Sequence, residues 1–83
     1  MPTPASHTDL LLPADLAAIS ATRSVLSELL TARGWTEDRV EEAVLAASEA
    51  IGNAIEHGSL GEDRVCVTID LSDAMLELRV SDT

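Results

Sequence analysis

The chain has 83 residues, room for one domain at most, and a chain of this size buries only about 60 to 65% of the surface it exposes when unfolded. Fifteen acidic residues stand against five arginines and no lysine, and the formal charge of -10 argues against a nucleic-acid or anionic-membrane surface, since both demand positive charge. Hydrophobic residues make up 46% but aromatic ones only 1%, so a core must be packed from Leu, Val, Ile and Ala around the single Trp35.

Residues 1–9 hold two prolines and no apolar period, which predicts a mobile tail with His7 solvated. Leu10, Leu11 and Leu12, closed by Pro13, predict a brief edge strand. From Asp15 to Arg33 the residues Leu16, Ile19, Leu26, Leu29 and Leu30 recur at the spacing of one buried helix stripe, and Gly34 is placed to cap it. A second helix should begin at Thr36, whose hydroxyl can accept from a free backbone amide, with Glu37 and Asp38 favourable against the positive helix end. Its inner stripe reads Val40, Val44, Ala47, Ile51 and Ala54, and Gly58 is its expected stop. Ala43, Ala46 and Ala50 add small side chains that let another element or a flat ligand approach the backbone.

After a linker at Ser59 to Asp63 the period changes to two. Val65, Val67, Ile69 and Leu71 should face the core, with Cys66, Thr68 and Asp70 on the wetter side. Ser72, Asp73 and Ala74 predict a turn, and Leu76, Leu78 and Val80 the inner face of a returning strand. The expected fold class is α+β, two helices packed on one face of a small antiparallel sheet, with residues 10–83 as one unit. Cys66 is the only cysteine, the longest apolar run is too short to span a bilayer, and the N-terminus lacks the features of a signal peptide. A cytoplasmic protein is expected.

Glu49, Asn53 and His57 follow one another at four-residue intervals on the second helix, so they form one strip climbing about 6 Å per step. Glu42 lies near the same face, and flanking Ala46, Ala50 and Ile51 predict a partly buried strip. The plain reading is a solvated helix face; the functional one is a row of ligands. An Asn carbonyl oxygen suits a magnesium ion that keeps several waters and takes its other ligands from nucleotide phosphates. A carboxylate one turn earlier could accept a proton from an attacking hydroxyl. So acidic a chain also needs a cation between itself and a triphosphate. A zinc-protease reading fails, because Glu56-His57 has no second histidine at helical spacing. Asp82 continues the inward alternation of Leu76, Leu78 and Val80, so it either ends the strand in water or offers a buried acceptor to a ligand amino group.

The stretch Leu45-Ala-Ala-Ser-Glu49-Ala-Ile-Gly-Asn53-Ala-Ile-Glu-His57-Gly58 resembles the N box of the ATPase family that includes gyrase, heat-shock protein ninety, histidine kinases and MutL. Within that family the chain is most similar to anti-sigma-factor serine-protein kinases of the RsbW and SpoIIAB type, in its Leu-Pro-Ala-Asp opening, Arg23 and the closing Val80-Ser-Asp82-Thr. The resemblance covers about residues 10–83. It implies ATP and Mg2+ as cofactors, Asn53 as the magnesium ligand, Glu49 as the catalytic base, Asp82 as the adenine-reading acid and a less defined role for His57. It further implies a sigma factor and a STAS-domain antagonist as partners, a homodimer, and Arg23 on the partner surface. The sequence stops at Thr83, ahead of the first glycine of the Asp-x-Gly-x-Gly box and of the lid. Those glycine-rich segments supply backbone amides to phosphates, so the expectation is an incomplete domain with little kinase activity alone. Two other readings stand beside it: a non-catalytic module that binds a sigma factor or antagonist, and part of a sensor histidine kinase.

Overall fold

The computed structural model describes residues 5–57, 64–72 and 75–82. Five elements follow in chain order: β1 (Ser6–Pro13), α1 (Leu16–Ala32), α2 (Glu37–His57), β2 (Arg64–Leu71) and β3 (Leu76–Asp82). The sheet has the order β1-β2-β3 with both pairs antiparallel, and both helices pack on one face of it. The α+β class read from the sequence is therefore the observed one.

Pairing between β1 and β2 runs from Ser6 opposite Leu71 to Pro13 opposite Arg64. The strand thus begins at Ser6, four residues ahead of the apolar run, and the tail predicted over 1–9 is not what residues 6–9 adopt. Their ordering comes from β2 rather than from their own composition: an edge strand needs only a neighbour with free backbone groups. On β2 the alternation is as the sequence predicts. Val65, Val67, Ile69 and Leu71 are buried against the helices, while Cys66, Thr68 and Asp70 point to the other face. Opposite them on that outer face stand His7, Asp9 and Leu11 from β1 and Glu77, Arg79 and Ser81 from β3. The hairpin closes where the Ser72 N–H donates to the Met75 carbonyl at 2.9 Å. Asp73 and Ala74, expected in that turn, lie outside the described residues, as do the linker 59–63 and the expected helix stop Gly58.

α1 starts at Asp15, whose carboxylate accepts from the Ala17 N–H at 2.8 Å and satisfies one of the free donors of the first turn. It ends in a Schellman motif: the Trp35 N–H donates to Leu30 O at 3.1 Å and the Gly34 N–H to Thr31 O at 3.0 Å. Gly34 has φ +83, a conformation L side chains rarely adopt, so glycine is required there by the backbone. The buried face of α1 is Ala18, Thr22, Leu26 and Leu30. Leu16, expected in that stripe, is 79% exposed. Small Ala18 and Thr22 carry the packed face at this end, and a pattern that counts only large apolar residues passes over both.

α2 is opened by Thr36, whose Oγ1 accepts from the Arg39 N–H at 3.3 Å, with Glu37 and Asp38 in the first turn. Arg39 lies 4.2 Å over the Trp35 ring, a cation–π contact that ties the inter-helix turn to the helix start. Ala47 and Ile51 are the buried centre of α2, with Val40, Val44 and Ile55 packed beside them. Leu26, Leu30, Ile51 and the four inner residues of β2 form the core. Each such Leu, Ile or Val stabilises the fold by about 1.5–3 kcal/mol relative to exposure.

Candidate nucleotide site

Helix α2 displays its polar residues opposite its core side. Ala47 and Ile51 face the sheet, which turns Glu49 and Asn53 outward, and both are exposed rather than partly buried. The difference from expectation is geometric: a strip about 180° from the core residues meets solvent wherever no third layer covers the helix. Ser48, beside them, spends its hydroxyl on the Val44 carbonyl at 2.8 Å and is not available to a ligand through that proton.

Glu49 and Asn53 line one shallow cavity of about 560 Å³ together with Gly52, Ile55, Glu56 and, from the start of α1, Leu16 and Ile19. A side chain at Gly52 would meet nothing within 4 Å, so glycine there leaves the surface between Asn53 and Leu16 open without serving the packing. Leu16 and Ile19 give this recess an apolar wall that the sequence did not reveal. The signals for it were Leu16 and Ile19, both assigned by their spacing to the buried stripe.

Chemically, the pair offers one neutral amide oxygen and one carboxylate a helical turn apart. Among the described residues no group of three His, Cys, Asp or Glu side chains stands close enough to hold a metal ion alone. A cation at Asn53 would therefore need ligands from elsewhere, which is the situation of a magnesium ion that retains waters and binds phosphate oxygens. The donor set fits that ion and is poor for zinc.

Arg23 is exposed on α1 and lines a different recess, a groove of about 1080 Å³ between the helices, facing Asp38, Glu41 and Glu42 of α2. Ile19 borders both hollows. Asp82 ends β3 opposite Val65, next to the strand on which the core rests. The side chains of Asp82 and His57 lie outside the described residues, so the geometry unites Glu49 with Asn53 and leaves Arg23 on separate ground.

Two helices on an antiparallel sheet agree with the family comparison. Residues 12–83 match the histidine kinase-like ATPase domain, and the chain belongs to that family. Its similarity extends to particular proteins of known name. It is 36% identical over 73 residues to serine-protein kinase RsbW of Listeria monocytogenes serotype 4a (strain HCC23), covering 86% of this chain and 46% of that protein. It is 34% identical over 73 residues to the RsbW of Listeria innocua serovar 6a, again covering 86% of this chain and 46% of the relative. With serine-protein kinase RsbW of Bacillus velezensis it shares 30% identity over 84 aligned positions, 99% of this chain and 52% of the relative. The chain thus spans about half the length of the curated relatives it matches.

Proposed function

We propose that this chain carries the magnesium- and ATP-binding part of an anti-sigma-factor serine/threonine-protein kinase. The observation that carries the reading is the outward pairing of Glu49 and Asn53 across one open recess of a histidine kinase-like ATPase fold. In this reading the Asn53 side-chain oxygen holds Mg2+, which when bound neutralises phosphate charge that this acidic chain would otherwise repel. Glu49 accepts the proton of the attacking serine hydroxyl of a protein substrate. Asp82 accepts from the adenine amino group at the end of β3, and His57 belongs to the same nucleotide-binding motif.

The protein substrate is a STAS-domain antagonist and the regulated partner a sigma factor, with the chain acting as a homodimer in the cytoplasm. Among the described residues no helix is long and apolar enough to cross a membrane, which is compatible with that setting. Arg23 belongs to the partner surface. A second reading, a module that binds such a partner without catalysis, draws on the groove that holds Arg23 apart from Glu49 and Asn53.

The test separates the metal ligand from the base. Calorimetric titration of ATP with magnesium should lose its signal in Asn53→Ala and keep it in Glu49→Gln. Unchanged magnesium-dependent affinity in Asn53→Ala would refute the assignment.

A further inference from the structure

The outer face of the sheet, away from the helices and from the candidate nucleotide recess, carries an ionic arrangement that the ATPase reading does not use. His7 on β1 stands in register with Asp70 on β2 and, beyond it, Glu77 on β3. The next outward row is Asp9, Thr68 and Arg79. Both ring nitrogens of His7 face carboxylates: Nδ1 lies 2.5 Å from Asp70 Oδ1 and Nε2 3.0 Å from Asp9 Oδ1. A neutral imidazole has one donor and one acceptor nitrogen, so one of these contacts would set a lone pair against a carboxylate. Only the imidazolium satisfies both. The two carboxylates also sit on opposite sides of the ring, which rules out their converging with it on one metal ion.

The surrounding charges sharpen the dependence. Thr68 Oγ1 donates to Asp9 Oδ1 at 3.1 Å, and Arg79 approaches Asp70 at 3.8 Å and Glu77 at 4.0 Å. With His7 neutral, that patch keeps three carboxylates, Asp9, Asp70 and Glu77, against the single guanidinium of Arg79. Nothing apolar compensates at this end of β1. Its inward residues Ser6 and Thr8 are polar, whereas Leu10 and Leu12 in the second half pack against the core.

We infer that His7 is a proton-operated clamp that holds the first half of β1 onto β2, and that its deprotonation loosens the pairing of Ser6–Asp9 with Thr68–Leu71. The hydrogen bonds to Asp70 and then Asp9 hold the His7 pKa above its ordinary value of 6.5. His7 and then Thr68 hold the Asp9 carboxyl below its ordinary value of 3.8. A raised histidine pKa contributes stability that is complete below 6.5 and is lost as pH rises through the folded-state value. The lowered Asp9 pKa contributes stability present above 3.8 and lost as pH falls through its folded value. The clamp is therefore closed in mildly acid solution and opens toward alkaline pH.

Amide exchange followed by NMR on the full chain, corrected for intrinsic rates, tests this between about pH 5.5 and 8.5, on either side of histidine titration. Protection of those amides of residues 6–9 and 68–71 that donate across the β1–β2 pair should fall by roughly two- to fivefold as the His7 ring titrates, the scale of exposed ion pairs, while those of residues 10–12 and 65–67 keep theirs. His7→Gln should show the low protection at every pH. Asp70→Asn should lower the midpoint of the ring titration and weaken protection on the acid side. Equal protection across the range in the natural sequence, or an undiminished pH response in His7→Gln, would overturn the clamp.

Discussion

Thr22 is the one buried polar residue among those described, fully enclosed at 0% exposure in the middle of α1, and its Oγ1 has no hydrogen-bond partner. Its neighbours on the buried face are Ala18 and Leu26, which offer it only apolar surface and backbone already committed to the helix. A buried hydroxyl without a partner costs about 1–3 kcal/mol. Thr22→Val keeps the branched shape and replaces the hydroxyl by a methyl group, at nearly unchanged helix propensity. The variant should therefore be more stable by about 1 kcal/mol or somewhat more, which for a domain of this size raises the melting midpoint by roughly 4–8 °C per kcal/mol. Urea unfolding followed by circular dichroism reads the change as a higher midpoint at constant slope. A loss of stability in Thr22→Val would refute the reasoning, because it would mean that the hydroxyl is satisfied in the native protein. Thr22→Ser separates the two contributions: it retains the hydroxyl, loses a methyl, and should fall below the natural sequence.

Ile51→Ala, at the centre of the contact between α2 and the sheet, should cost about 2–5 kcal/mol, whereas Leu45→Ala on the 62% exposed side of the same helix should change stability by less than about 0.5 kcal/mol. Comparable losses at the two positions in denaturant titrations would contradict the assigned face of α2. Gly34→Ala meets no atom within 4 Å of its added Cβ, so its cost is that of the φ +83 backbone alone, about 1–2 kcal/mol. Neutral behaviour in the same assay would mean that the Schellman end of α1 relaxes freely.

The parts of this fold that were legible in the sequence are those decided by near neighbours. Gly34 and Thr36 mark a helix end and a helix start because a positive φ and a capping hydroxyl act within a turn of the chain. Val65 to Leu71 reads as a half-buried strand because one period fixes both its faces. Glu49 and Asn53 could be paired on paper since four residues make one turn. His7 was misread for the opposite reason: its partner Asp70 is 63 residues away, and nothing local in a proline-containing stretch announces a strand. Leu16 was misplaced because α1 packs at that end through Ala18 and Thr22, and close approach of two elements selects small residues that a count of large apolar ones ignores. Exposure of the Glu49–Asn53 strip likewise depended on which layers cover α2, a tertiary matter that periodicity does not carry.

The most direct test of the account is calorimetric titration of ATP into the purified chain, with and without magnesium, on a sample first shown to melt cooperatively. The account predicts binding that requires magnesium and disappears in Asn53→Ala; affinity in the micromolar range would correspond to about 8 kcal/mol. Binding that is indifferent to magnesium, or no binding by a folded sample, would contradict the claim that this helix holds the metal–nucleotide site.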